Sequence, residues 1–506
     1  MLTRRNFLAT GAAALVAAPA IVRAQAKWRA NPFSLGVASG DPAPDGFVIW
    51  TRLAPEPIDP HGGMAIESVP VAWEVAEDEA FRAIVARGNS AALPELAHSV
   101  HVEVTGLRPD RPYFYRFQAA GERSIAGRAR TLPQLTAAPR RLRFGMAGCQ
   151  DYQAGYYTAY RHLADEELGF VFHFGDYIYE YGADEGTPRK HATPLVMSLD
   201  DYRRRYAQYK SDSDLQAAHA AHPFFVTFDD HEVRNNWAGD IDDDDGTPPP
   251  EVFRLHRQAA FQAWYEHMPV RRRQFPNGSA IQLYRGARYG NLVQLDFLDT
   301  RQFRTNQPCD DGYKMACPAV TSPQAHMIDA EQEAWLVRNL QRPKARWNAV
   351  AQQVMMMSID RRSPVDRAAG KLLNVDSWAG YEAQRARLLA RMRGLNNVVV
   401  LTGDEHTNYA GLLDDRDKPV AVEFVGTSIS SDGDGQDIPS WGPDFMAHNP
   451  QLKFINNQRG YLTFDVTRDE WRTNFMVVDR ISTPGGQLSK RATLAMDYGH
   501  PALRQA

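Results

Sequence analysis

Three clusters of carboxylates and imidazoles in this chain each follow a short, apolar, β-prone run, and that placement restricts the fold more than any other feature of the sequence. Gly175-Asp176-Tyr177-Ile178-Tyr179 follows residues 169–174, Phe228-Asp229-Asp230-His231-Glu232 follows 223–227, and Gly403-Asp404-Glu405-His406 follows 397–401. Runs this short, rich in Val and Phe, read as strands, so the clusters fall where strands end. A further run, 143–148, delivers Cys149 in the same way. Strand ends are where open α/β sheets build their sites. Convergence of these tips gathers Cys149, Asp176, Tyr179, Asp230, His231, Asp404 and His406 about one point, which suits a polynuclear metal site better than a proton-transfer pair.

The remaining chain bounds the context of that site. With 506 residues, 43% hydrophobic and 23% charged, it is long enough for more than one domain. A formal net charge of −4 supplies no basic field for a nucleic-acid backbone, so sequence-specific nucleic-acid binding is not expected. Thr3-Arg4-Arg5-Asn6-Phe7-Leu8, the apolar run 9–22 and Ala24-Gln25-Ala26 together predict a twin-arginine signal peptide over 1–26. That apolar run is broken by Gly11 and Pro19 and ended by Arg23, short of the roughly 20 residues a stable membrane span needs. The expectation is export by the twin-arginine machinery, with a cofactor inserted beforehand, to the periplasm or the exterior. In an oxidising compartment Cys309 and Cys317, in a polar turn-rich segment, read as a local disulfide, which leaves Cys149 unpaired at its strand end.

Two regions differ in period. From about residue 27 to 135 short alternating runs (47–51, 69–75, 99–104) predict a small β-sandwich, and Gly106-Leu107-Arg108-Pro109-Asp110-Arg111-Pro112-Tyr113-Phe114-Tyr115 resembles the tyrosine corner of fibronectin type III-like sandwiches. Residues 131–139 read as a linker. From 140 to 506 strands alternate with helical stretches (155–168, 200–209, 250–268), which predicts an α/β or α+β layered domain, a central β-sandwich flanked by helices. The acidic run 240–245 reads as a solvated loop.

Asp176, Tyr179, Asp230 and Asp404 offer anionic oxygen, His406 a borderline nitrogen and Cys149 a soft thiolate, a mixture that implies more than one metal. Phenolate with thiolate suits ferric iron; the oxygen-rich remainder suits calcium, magnesium or manganese. Asp176 is placed to bridge two ions, and a bridged pair polarises a phosphoryl oxygen and yields hydroxide near neutral pH. His231 reaches the site only if the chain bends after Asp230; it then serves as general acid, the alternative being a hydrogen bond to Asp229 or Glu232. Asn236 is assigned to the site and Asn235 to the turn before Trp237. Asp299 reads as a structural ion pair with Arg301, and His162, His173 and His219 as packing or surface histidines.

The ordered set Ala147-Gly148-Cys149-Gln150, His173 to Glu180, Asp229-Asp230-His231-Glu232-Val233 with Asn235-Asn236-Trp237, Leu298-Asp299-Thr300-Arg301 and Leu401-Thr402-Gly403-Asp404-Glu405-His406 resembles the PhoD-like alkaline phosphatases, metallophosphoesterases related to calcineurin-like and purple acid phosphatases. The resemblance covers nearly the whole mature chain. It implies phosphate mono- or diester hydrolysis by metal-activated hydroxide, with ferric iron and calcium, or another divalent cation in calcium's place. It also implies iron on Cys149, Asp176 and Tyr179, with Asp230, Asp404 and His406 completing the metal cluster. His231 and Asn236 become the catalytic pair. Glu405 stands where the family has a small or apolar residue, and a helix over the site is expected at 487–498. Specificity is expected in the loops 182–199, 303–330 and 430–450. Rival readings of the same residues are a non-haem iron oxidoreductase and a calcium-binding surface module without catalysis.

Overall fold

The computed structural model describes residues 28–242, 248–362 and 370–506. The expected signal peptide and residues 243–245 at the end of the acidic run lie outside the described residues; within that run, Asp240 pairs with Arg254 and Arg257 at 2.8 and 2.9 Å.

Two large sheets pack face to face. In one, strands Arg141–Ala147, Val171–His173 and Pro223–Val226 run parallel at the centre, and Gly460–Thr467, Glu470–Val478, Leu488–Asp497 and Arg504–Gln505 extend one side antiparallel. In the other, Val293–Phe297, Trp347–Ala351, Val398–Thr402 and Lys418–Val425 are parallel, flanked by Arg285–Tyr289 on one edge and by Asn408–Asp415 and Leu452–Asn456 on the other. The strand sequences explain the layering. Along Val398–Thr402, Val399 and Leu401 join the core between the sheets, whereas Val398 and Val400 join the core under helices Ala330–Gln341 and Glu382–Met392. Both faces are buried, which is why the run is continuously apolar rather than alternating. The first sheet does the same: Phe172 packs between sheets, and Val171 packs with the helical layer that includes Thr158–Ala164 and Pro250–His267. The expected four-layer order, helix, sheet, sheet, helix, is what forms.

The N-terminal β-sandwich closes on Phe47, Ile49, Val71, Val75, Val100, Tyr113, Tyr115 and Phe117. Tyr113 is the corner residue: its hydroxyl accepts the Arg108 N–H at 3.0 Å and donates to the Arg108 carbonyl at 3.2 Å. One sheet of this sandwich does not stop at the linker. Strand Val37–Ala43 pairs parallel with Pro223–Val226, Ser39 opposite Pro223 and Gly40 opposite Phe224, so the first large sheet continues through Gly46–Arg52 to Ser99–Val104.

Two expectations are corrected. Residues 487–498 are not a helix over the site: Leu488–Asp497 is a strand paired with Glu470–Val478. Helix 155–168 is shorter than expected, spanning Thr158–Ala164. The disulfide Cys309–Cys317 forms, and Cys149 is the buried free thiol. Among the described residues no helix is long and apolar enough to cross a membrane.

Candidate metal centre

The parallel strands of both sheets point their C-terminal ends toward one place, and small residues let the loops meet there. A side chain at Gly148 or Gly403 would come within 2.3 or 2.1 Å of the Phe174 ring, so that ring wedges between the loops that carry Cys149 and Asp404. Cys149, Asp176, Asn236, Asp404 and His406 themselves take left-handed backbone, with φ of 50°, 54°, 51°, 68° and 49°. Side-chain-bearing residues adopt this region at a cost, and such strain persists where surrounding structure over-determines it. Glu232 provides part of that determination: its buried carboxylate accepts the N–H groups of Asp176, Tyr177 and Asp229 at 3.1, 2.7 and 2.9 Å.

On one side of the centre, donor atoms of Cys149, Asp176 and His406 lie within 4.8 Å of one another. The Tyr179 hydroxyl is 3.0 Å from Asp176 Oδ2 and 3.1 Å from His406 Nε2, and accepts from Ser431 Oγ at 2.7 Å. Burial, reinforced by Asp176 and Asp404, pushes the Cys149 thiol well up; burial, with Asp176 and Cys149, does the same to the Tyr179 phenol. His406 overcomes burial through Asp176 and Asp432 and rises to about 9, with Nδ1 2.7 Å from Asp432 Oδ2.

Across the centre two further donor sets follow, each again within 4.8 Å: Asp176 with Asp230 and His231, which shares Asp176 with the first, and Asp229 with Asp230 and Asp404, which shares Asp230 with the second. The strand ends at Val226 and the chain turns, with the Val233 and Arg234 N–H groups on the Asp230 carbonyl, so Asp230 and His231 both reach the site. His231 bonds neither Asp229 nor Glu232. Its Nδ1 is 2.8 Å from Glu180 Oε2, and its ring stacks on Tyr179 with centroids 4.1 Å apart. Burial opposes charge on this imidazole, but Asp230 and Glu180 outweigh it and raise its pKa well above the ordinary value. Asn236 donates its backbone N–H to Asp230 Oδ2 and its amide to Asp311 Oδ2, at 2.8 and 2.7 Å.

The same fold occurs in known proteins. The PhoD-like phosphatase model matches residues 144–475, and the PhoD-like phosphatase N-terminal domain model matches 17–133. The chain belongs to the PhoD-like phosphatase family. It is 45% identical over 496 residues to alkaline phosphatase D of Bacillus subtilis (strain 168), covering 96% of this chain and 84% of the relative. A solved structure described as that of PhoD superposes with a TM-score of 0.91 at 45% identity, covering 94% of this chain and 92% of that one. The purple acid phosphatase PPD1 of yellow lupin shares the fold at 11% identity, TM-score 0.54, over 91% of this chain and 74% of its own. The chain is accordingly a phosphoric ester hydrolase, and the oxidoreductase and inert-module readings give way.

For a PhoD-like phosphatase the donor set fits metal ions. Asp176 Oδ1, Asp229 Oδ2 and Asp376 Oδ2 are buried without a hydrogen-bond partner, an arrangement that cations relieve. Asp404 is pushed up by burial and by Asp229 and Asp376, whereas Asp230 is held low against burial by His231 and Arg301.

Several contributors escape a reading by motif. Arg301 does not pair with the Asp299 carboxylate as a salt bridge. Asp299 accepts backbone N–H groups of Arg301 and Gln302, while the fully buried guanidinium reaches Asp229 at 2.5 Å and Asp376 at 3.0 Å, with Asp404 and Asp230 at 3.7 and 3.9 Å. Arg304 also pairs with Asp376. Glu405 is neutralised by Arg361 and accepts from Asn374 at 3.1 Å. His173 and His219 are buried packing histidines as expected, and His162 is half-buried on the Gly486 carbonyl. Asn235 gives its backbone N–H to Glu180 at 2.8 Å, a turn role.

Proposed function

We propose that this PhoD-like phosphatase is exported by the twin-arginine pathway and hydrolyses phosphate mono- or diesters in the periplasm or outside the cell. On this reading 1–26 is the signal, 27–135 the N-terminal sandwich and 140–506 the catalytic domain. Cys149, Asp176 and Tyr179 would hold ferric iron, and Asp230, Asp404 and His406 would complete a cluster with calcium or another divalent cation, with Asp176 available to both sides. When bound, such ions polarise a phosphoryl oxygen and lower the pKa of water toward neutrality.

The observation that carries this reading is the overlap of the three donor sets through Asp176 and Asp230 around buried, unpartnered carboxylate oxygens. The chain's own groups supply the rest. Glu180 orients the His231 ring through Nδ1, and the proton on His231 passes to the leaving alkoxide as the ester bond breaks. The Asn236 amide spends one hydrogen on Asp311 and has another for a phosphoryl oxygen. Tyr179, stacked on His231, fixes both rings, so little reorganisation accompanies the transfer.

The test is metal analysis together with phosphate release from paired aryl monoesters and diesters, with and without chelator and with calcium restored. Iron and calcium in the protein, with chelator-sensitive release recovered by calcium, agree with the assignment. Full activity in chelated protein, or activity recovered equally by ions that leave iron and calcium absent, would refute it.

A further inference from the structure

Beside the donor cluster is a cavity of about 210 Å³ lined by Asn236, Tyr313, Asp404, Glu405, His406 and Asp432 among others. Sites that enclose a drug-sized ligand measure roughly 300–1,000 Å³. A cavity this small takes the phosphoryl group and the first atoms of the alcohol, and the remainder of the alcohol must pass over the rim. The lining is polar except at one place: Tyr313 is the aromatic ring there, and it is 59% exposed.

An exposed tyrosine is ordinary in itself. This one is fixed. Tyr313 begins the strand Tyr313–Met315, which pairs antiparallel with Leu372–Asn374, Tyr313 opposite Asn374. The Cys309–Cys317 disulfide closes the segment around it, and the Val375 N–H donates to the Gly312 carbonyl at 3.0 Å. The Arg361 guanidinium lies 4.9 Å from the ring centroid and is itself tied to Glu405. Among the described residues this is the ring's one cation contact, and no aromatic partner covers it. A tyrosine has few torsions to freeze, and a ring already held by its neighbours offers a stacking surface at little entropic cost.

We propose that Tyr313 is a specificity-determining platform on which the flat part of the leaving alcohol, an aryl or nucleobase ring, stacks while its phosphoryl group occupies the metal centre. This rests on the phosphoesterase centre proposed above. It requires no sequence readout, because every base presents a π-face, and aromatic–base stacking is sequence-tolerant.

The test compares two esters whose leaving alkoxides are chemically alike, adenosine 5′-phosphate and glycerol phosphate, on metal-replete protein. Tyr313→Ala is expected to lower the ratio of kcat/KM for the adenosine ester to that for the glycerol ester about five- to tenfold, mainly through KM, the range that loss of one stacked ring produces. Tyr313→Phe keeps the ratio within about twofold of wild type. Adenosine alone is expected to inhibit the wild type competitively and Tyr313→Ala five- to tenfold more weakly. A ratio unchanged in Tyr313→Ala, or a fall as large in Tyr313→Phe, overturns the platform while leaving the metal centre standing. Absence of phosphate release from both esters in the wild type overturns the centre itself and the platform with it. Circular dichroism of each variant verifies the fold, which this exposed position is expected to preserve.

Discussion

Glu423 offers a prediction whose sign changes with pH. It is fully buried in the strand Lys418–Val425, where Oε1 accepts from the Met356 N–H and Thr402 Oγ at 2.7 and 3.1 Å and Oε2 from the Met357 N–H at 2.6 Å. Thr402 stands just before Gly403 and Asp404, so this carboxyl anchors the root of a metal-site loop. Burial raises its pKa from 4.5 to about 7 despite those donors. A buried acid raised in this way contributes stability that is complete below the unfolded value near 4.5 and is lost as pH climbs through about 7. At 1.36 kcal/mol per pH unit the difference amounts to about 3 kcal/mol. In Glu423→Gln that pH-dependent loss disappears, but one oxygen becomes an NH₂ group facing the Met357 N–H, at a cost of about 1–3 kcal/mol. The variant should therefore be less stable than wild type at pH 5 and close to it, or more stable, at pH 9. Denaturant or thermal midpoints of both proteins, measured as apo and metal-loaded forms across that range, supply the comparison. A difference between variant and wild type that stays constant from pH 5 to 9 would refute the reasoning.

Three further outcomes are expected. Tyr179→Phe removes one oxygen donor and the hydroxyl that joins Asp176 to His406, so bound metal and phosphate release should fall together, by about 100-fold or more in rate, as read by elemental analysis and initial velocities. Glu180→Gln leaves the donor cluster intact but weakens the orientation of His231; kcat should drop about 10- to 100-fold with metal content retained, and a parallel loss of metal would assign Glu180 to the cluster instead. Arg301→Met strips Asp229 of its buried cation and leaves Asp376 with Arg304 alone, which should lower the stability of chelated protein by about 3–5 kcal/mol and of metal-loaded protein by less, as read from unfolding midpoints.

The strand-end rule picked out side chains that the structure gathers because both halves of the signal are local: an apolar run and the residues directly after it. It located Cys149, Asp176, Tyr179, Asp230, His231, Asp404 and His406, which the structure brings into overlapping or hydrogen-bonded donor sets. The same rule applied to Leu298-Asp299-Thr300-Arg301, yet proximity in sequence suggested a pair within that tetrapeptide, whereas the Arg301 partners lie 72 and 75 residues away. Asp376 and Asp432 carry no motif of their own, and only the tertiary fold brings them in; Glu180 closes the segment His173 to Glu180, but its contact with His231 lies 51 residues away. At the C-terminus the period was readable: Ala492, Leu494 and Met496 all pack into the core between the sheets, an alternation that belongs to a strand and excludes the expected helix.

The parallel pairing of Val37–Ala43 with Pro223–Val226 changes what counts as a separable piece of this enzyme. The strand that leads into Asp229 and Asp230 has its neighbours on one side from the catalytic region and on the other from the N-terminal region. Cutting the chain at the linker would turn an interior strand into a bare edge, with unpaired N–H and C=O groups directly upstream of the metal site. Truncated chains that keep only the catalytic sequence should therefore aggregate or bind metal poorly even with every donor present. Recombination among relatives faces the same boundary: exchanging the N-terminal region also exchanges the strand that pairs with Pro223–Val226, the run from which the chain enters Asp229 and Asp230.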